Sequence, residues 1–147
     1  MEKKKRGEFM HAVLSSIDAV QGNLADFIAA KVKFAAQRQG YTGNLQEITD
    51  AILNLFKDER VQRWFSLKGI SEKSVVSAKA EAFRMDRIVI SEGLIEIIDF
   101  KSGAEDPGKH ADQVKNYVKL VSEIYPGKKV RGYLLYIEEN KVVEVNG

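Results

Sequence analysis

The sequence predicts an α/β domain, a mixed central sheet flanked by helices and preceded by a helical segment. Three observations carry this: apolar residues recur at helical spacing through the first 66 residues, β-branched alternation takes over from residue 70, and one further helical stretch separates two pairs of strands. With 147 residues and 44% hydrophobic content, the chain is expected to form a single domain over 1–147 with one sizeable core.

Residues 1–6, "MEKKKR", read as a basic tail. The helical part spans 7–66. Phe9, Met10, Val13, Leu14 and Ile17 predict a helix over 7–20, ended by Gly22-Asn23. Leu24, Phe27, Ile28, Val32 and Ala35 repeat the pattern over 24–38, before the turn "QGYTGN". A third stripe comprises Leu45, Ile48, Ile52, Leu55 and Phe56, and a short helical piece carries Val61, Trp64 and Phe65. The sheet part spans 70–147. "KSVVSAKAEAFRMDRIVIS" and "GLIEIIDFKSG" alternate as strands, with a hairpin turn at Glu92-Gly93. After a polar loop at 104–109, Val114, Tyr117, Val118, Val121 and Tyr125 line one side of a helix over 110–125. "VRGYLLYIEENKVVEV" then closes the chain as two strands around Glu139-Asn140.

Charge and composition exclude several classes. The 23 basic and 21 acidic residues nearly cancel, so overall charge does not announce a nucleic-acid binder. The absence of cysteine excludes disulfides, thiolate zinc sites and a cysteine-held iron–sulfur cluster. The basic start lacks the uninterrupted apolar run of a signal peptide, and no stretch approaches the roughly 18 apolar residues of a membrane span. A cytoplasmic location with no membrane partner is expected.

The charged residues of the predicted hairpin raise the functional question. Asp99 and Lys101, two apart, share one strand face while Phe100 takes the other. A turn at Glu92-Gly93 pairs residues whose numbers sum to about 185, which sets Asp86 across from Asp99. Two facing carboxylates destabilise a sheet unless a positive group lies between them, and a divalent cation or Lys101 would serve. Structural readings stay open for each residue alone. Asp99 and Lys101 form an ion pair in one, Asp86 pairs with Arg84 or Arg87 in another, and His11 is a surface or capping histidine in a third.

Taken in order, "RGEFMHAVLSSI", "RMDRIVI", "IIDFKSG" and "HADQVKNYVKL" resemble the Gly-xx-h-His-xx-Leu, RxDR, DxK and QxxxY elements of the RecB-like nucleases in the PD-(D/E)XK superfamily. The spacing of Glu72, "RMDR" and "DFKSG" is similar to that in the C-terminal nuclease module of UvrD/AddA-type helicase-nucleases. The resemblance implies a restriction-endonuclease-like core. It implies that His11, Asp86 and Asp99 ligate Mg²⁺, with Mn²⁺ able to substitute and the Phe100 carbonyl assisting. Asp86, Asp99 and Lys101 are then the catalytic set, Lys101 orienting or activating the attacking water, and Gln113 and Tyr117 lie DNA-proximal on one helical face.

The implied activity is metal-dependent hydrolysis of DNA phosphodiesters, in the exonuclease manner, within an ATP-dependent helicase-nuclease of DNA repair and recombination. The implied partners are DNA, single- or double-stranded and sequence-nonspecific, a helicase domain of the same parent chain, and a partner subunit. The chain begins only a few residues before its first motif, as a domain excised from such a parent would. Lys and Arg at 68, 73, 79, 84, 87, 109, 115 and 119 are candidate phosphate contacts, and His110 is expected at the solvent surface. Arg84-Met85 stands where the family often has glycine, and the absence of cysteine separates the chain from the iron–sulfur branches. A catalytically silent DNA-binding or scaffolding domain and a stand-alone structure-specific endonuclease are the alternative readings.

Overall fold

The computed structural model describes residues 2–66, 85–102 and 107–145. Four helices come first: α1 (Glu2–Ser15), α2 (Leu24–Gln39), α3 (Leu45–Leu55) and α4 (Glu59–Ser66). The hairpin β1 (Arg87–Ser91) and β2 (Leu94–Lys101) follows, then α5 (Pro107–Ile124), β3 (Lys129–Tyr136) and β4 (Lys141–Val145). The strand expected before residue 85, and Glu72, lie outside the described residues.

The helices stop and start where side chains can satisfy their free backbone groups. Asn23 and Asn44 accept the amides of Asp26 and Glu47 at 3.0 and 3.1 Å, capping α2 and α3. Boundaries of α1 and α5 differ from expectation, α5 beginning at Pro107 within the loop expected over 104–109. The basic residues Lys3 to Arg6 belong to the first turns of α1 rather than to a tail, and the helix ends at Ser15 rather than 20. Arg6 anchors that start by donating to Glu138 at 3.0 Å.

The sheet runs β1-β2-β3-β4, with β1–β2 and β3–β4 antiparallel and β2–β3 parallel. A parallel pair needs a long crossover, and α5 supplies it. Alternation then splits the core in two. Val89, Ile98, Phe100, Tyr133 and Leu135 face α1 to α4, while Ile88, Ile95 and Ile97 meet Tyr117 and Val121 of α5. Val114 of α5 packs on Leu134 and Tyr136 on the same side. The result is three layers, helices on both faces of a mixed sheet. Gly132 sets how close α5 comes: a Cβ there would sit 2.5 Å from Val114 Cγ1 and 2.7 Å from Val118 Cγ2.

Among the described residues, no helix is long and apolar enough to cross a membrane.

Candidate active site

The site forms where the central strand β2 runs out. Arg87 pairs with Ile98 in the hairpin, so the next rung places Asp86, just before β1, beside Asp99. Asp86 Oδ2 accepts the Phe100 amide at 2.7 Å, which holds this carboxylate against the strand end. Its other oxygen, Oδ1, lies 3.1 Å from His11 Nε2. The His11 ring stands edge-on to Phe100, with centroids 5.6 Å apart, and its Nδ1 is 3.4 Å from the Ser15 hydroxyl one turn along α1. Gly7 permits this approach of helix to strand. A Cβ at position 7 would come within 2.6 Å of Ser102 Cβ.

On the same strand face, Lys101 Nζ lies 2.9 Å from Asp99 Oδ2 and donates to Gln113 Oε1 at 3.0 Å. Gln113 precedes Val114, the residue seated over Gly132, so the tight packing of α5 also brings this amide to Lys101. His11, Asp86, Asp99, Lys101 and Gln113 thus converge from α1, the start of the hairpin, β2 and α5. The hairpin and α5 follow one another in sequence, whereas α1 joins them from more than 70 residues upstream.

Electrostatics divide the two carboxylates. Asp99 is only 3% exposed. Burial first, and then the contact and charge of Asp86, push it up to about 7 against the opposing pull of Lys101. Burial also opposes charge on Asp86, but hydrogen bonds with His11 and Asp99, the His11 charge and the Phe100 amide together hold it below the ordinary carboxylate value. His11 is raised, chiefly by its hydrogen bond to Asp86, with burial opposing. Asp99 Oδ2 keeps an ion contact with Lys101 at 2.9 Å, yet the ammonium lies off its hydrogen-bonding direction and no donor satisfies this buried oxygen.

A half-buried and a buried carboxylate side by side, the second with an unsatisfied oxygen, form a donor set suited to a hard divalent cation. Among the described residues, however, no three His, Asp, Glu or Cys side chains stand in ready metal-holding geometry. The reason is visible in the partners: His11 Nε2 and Asp86 Oδ1 face each other, and Asp99 faces Lys101. The residue types fit a metal. Their present contacts would have to open to receive it.

Three expectations are corrected. Tyr117 is 2% exposed and packs with Met85, Ile88, Ile95 and Ile97, so it lies in the core rather than beside Gln113 at the surface. His110 is buried, with its Nδ1 3.4 Å from the Tyr136 hydroxyl. Arg87 is no phosphate contact. Its guanidinium is buried over the Phe65 ring and donates to the carbonyls of Trp64, Ile17 and Asp18 at 2.9, 2.6 and 2.6 Å. It ties the segment after α1, and α4, to the strand that begins one residue after Asp86. Lys109, Lys115 and Lys119 are exposed, while Lys68, Lys73, Lys79 and Arg84 lie outside the described residues.

Sequence reasoning passed over two further acids. Glu96, an acidic residue in an otherwise apolar strand, is 2% exposed and accepts from Arg63 and Trp64 Nε1. That interruption of alternation was a readable signal. Glu138 pairs with Arg6 next to Gly7, a contact 132 residues apart that no local pattern announces. A recess of about 730 Å³ opens between the start of α1 and residues 39–47, but none of the five converging residues lines it.

A family model of the PD-(D/E)XK nuclease superfamily matches residues 1–146. The chain belongs to the PD-(D/E)XK nuclease superfamily. The mixed four-stranded sheet and five helices among the described residues are consistent with the restriction-endonuclease-like α/β arrangement of that superfamily. Membership makes this a nuclease fold whose members hydrolyse phosphodiesters, bind DNA and generally use divalent metals. No curated protein matches the chain significantly. In this chain Asp86 stands just before β1, and Asp99 and Lys101 stand at the end of β2.

Proposed function

We propose that this PD-(D/E)XK protein is a Mg²⁺-dependent deoxyribonuclease, with His11, Asp86 and Asp99 as metal ligands and Lys101 as the amine of the chemical step. The observation that supports it best is the convergence of these four side chains and Gln113 from separate elements onto one strand end. A bound Mg²⁺ supplies charge neutralisation at the phosphate and a more acidic water. Asp86 and Asp99 provide the negative charge that holds such an ion, and His11 supplies an imidazole nitrogen once its contact with Asp86 opens. Lys101, steadied by Gln113 Oε1, presents its ammonium beside the carboxylates, where it orients the attacking water and offsets charge on the phosphate. The Asp86–Phe100 hydrogen bond keeps both carboxylates in register with the strand while substrate comes and goes.

The finer reading is an exonuclease module of a UvrD/AddA-type helicase-nuclease acting in DNA repair and recombination in the cytoplasm, with Mn²⁺ able to replace Mg²⁺. It rests on the order and spacing of the His11, RxDR, DxK and Gln113 elements. Such a module accepts whatever strand its motor delivers, so phosphates rather than bases are its natural handle. End-labelled single- and double-stranded DNA, with and without Mg²⁺, tests both levels. Progressive shortening from one end that disappears in Asp99→Asn is expected. Internal cuts in duplex would favour a stand-alone endonuclease, and intact DNA under every condition would leave a silent scaffold.

A further inference from the structure

Away from the carboxylates, α2 carries a pattern that the proposed chemistry does not use. Phe27, Lys31, Phe34 and Arg38 are separated by four, three and four residues, which puts them on one flank of the helix over about 16 Å. Each cation lies over the preceding ring: Lys31 Nζ is 5.6 Å from the Phe27 centroid, and the Arg38 guanidinium carbon is 5.7 Å from that of Phe34. Phe34 is 59% exposed, the most exposed large apolar side chain among the described residues. After Asp26 the helix contains no acid, only Lys31, Lys33 and Arg38.

We infer that this flank of α2 binds single-stranded nucleic acid, the exposed Phe34 ring stacking on a base, the half-buried Phe27 anchoring the flank to the core, and the interleaved cations meeting phosphates. A lone exposed phenylalanine is ordinary. A twice-repeated aromatic-then-cation pair on a helix free of acids over three turns matches the two chemical features of a nucleic-acid strand. Protein interfaces are depleted of lysine, whereas here Lys31 stands between the two rings and Lys33 beside Phe34. Only unpaired bases offer their faces, so the ligand is a single strand. The flank also adjoins the site. Lys31 Nζ donates to Ser16 O at 3.4 Å, and the neighbouring Ser15 hydroxyl reaches His11 Nδ1. The Lys31 part of the flank therefore meets the chain just after α1, five residues on from His11.

The inference rests on the nuclease reading for its ligand, and binding measured in EDTA separates the two. With a fluorescent oligothymidylate of about 20 nucleotides, Phe34→Ala is expected to weaken binding at least about five-fold, and Phe34→Trp to restore it. Equal affinity of wild type and Phe34→Ala for the strand overturns the inference, even if wild type cleaves DNA. Weakened binding in Phe34→Ala supports it, even if wild type proves unable to cleave. If Phe34→Ala instead converts a dimer to a monomer in sedimentation while strand affinity is unchanged, the flank belongs to a second copy of the chain and the inference is overturned.

Discussion

Asp99→Asn should stabilise the metal-free protein at pH 8 while removing its nuclease activity. A carboxyl that is 3% exposed and pushed from 3.8 to about 7 binds its proton more tightly in the folded chain than in the unfolded one. Its contribution to stability is therefore present at low pH and is lost as pH rises from about 4 to 7. At ~1.36 kcal/mol per pH unit that loss is about 4 kcal/mol. Asparagine cannot ionise, so the variant escapes the loss, but it also forfeits the ion contact with Lys101 at 2.9 Å. Discounting by half leaves a net gain of about 2 kcal/mol, or about 4–8 °C in Tm for a chain of this size. Melting curves of both proteins in EDTA at pH 5 and pH 8 measure it: the difference should be small at pH 5 and open by pH 8. Adding Mn²⁺ should then raise the Tm of wild type and not of the variant. A variant no more stable than wild type at pH 8 would refute the argument that Asp99 is a carboxylate held at a cost by burial and by the neighbouring Asp86.

Two substitutions test the supports of the site. Lys101→Ala should keep divalent-ion binding by calorimetry while slowing cleavage at least about 100-fold, as removal of a proton-transfer group does. A loss of roughly 3 to 5 kcal/mol in stability, without metal binding by wild type, would instead make Lys101 and Asp99 a structural ion pair. Burial lowers the Arg87 guanidinium to about 10, still protonated at neutral pH, and Arg87→Ala strips the donors from three carbonyls. Urea melts should show a loss of at least about 3 kcal/mol, partly recovered in Arg87→Lys, and a loss under about 1 kcal/mol would mean that water replaces the guanidinium freely.

What the sequence determined by itself was the kind and order of most described elements and the register of the hairpin, though not where α1 and α5 begin. Helical stripes placed α2, α3 and α4 because an apolar face repeats every three to four residues. The Glu92-Gly93 turn specified the hairpin register, since a two-residue turn leaves one pairing and that pairing sets Asp86 beside Asp99. The order of the His11, Asp86, Asp99 and Gln113 elements was enough to suggest the superfamily that the family comparison then showed.

Only the tertiary structure decided which side each polar residue serves. Arg87 and Asp86 are adjacent and both charged, yet alternation sends one into the core against α4 and the segment after α1 and leaves the other at the site. Local pattern could not say that the buried partners of Arg87 are carbonyls at positions 17, 18 and 64. Tyr117 and Gln113 share a helix face in sequence, but packing buries Tyr117 with Met85, Ile88, Ile95 and Ile97, while Gln113 accepts from Lys101. The unequal titration of Asp86 and Asp99 likewise follows from burial and from a histidine 75 positions before Asp86, and desolvation is a property of the packed molecule rather than of any residue.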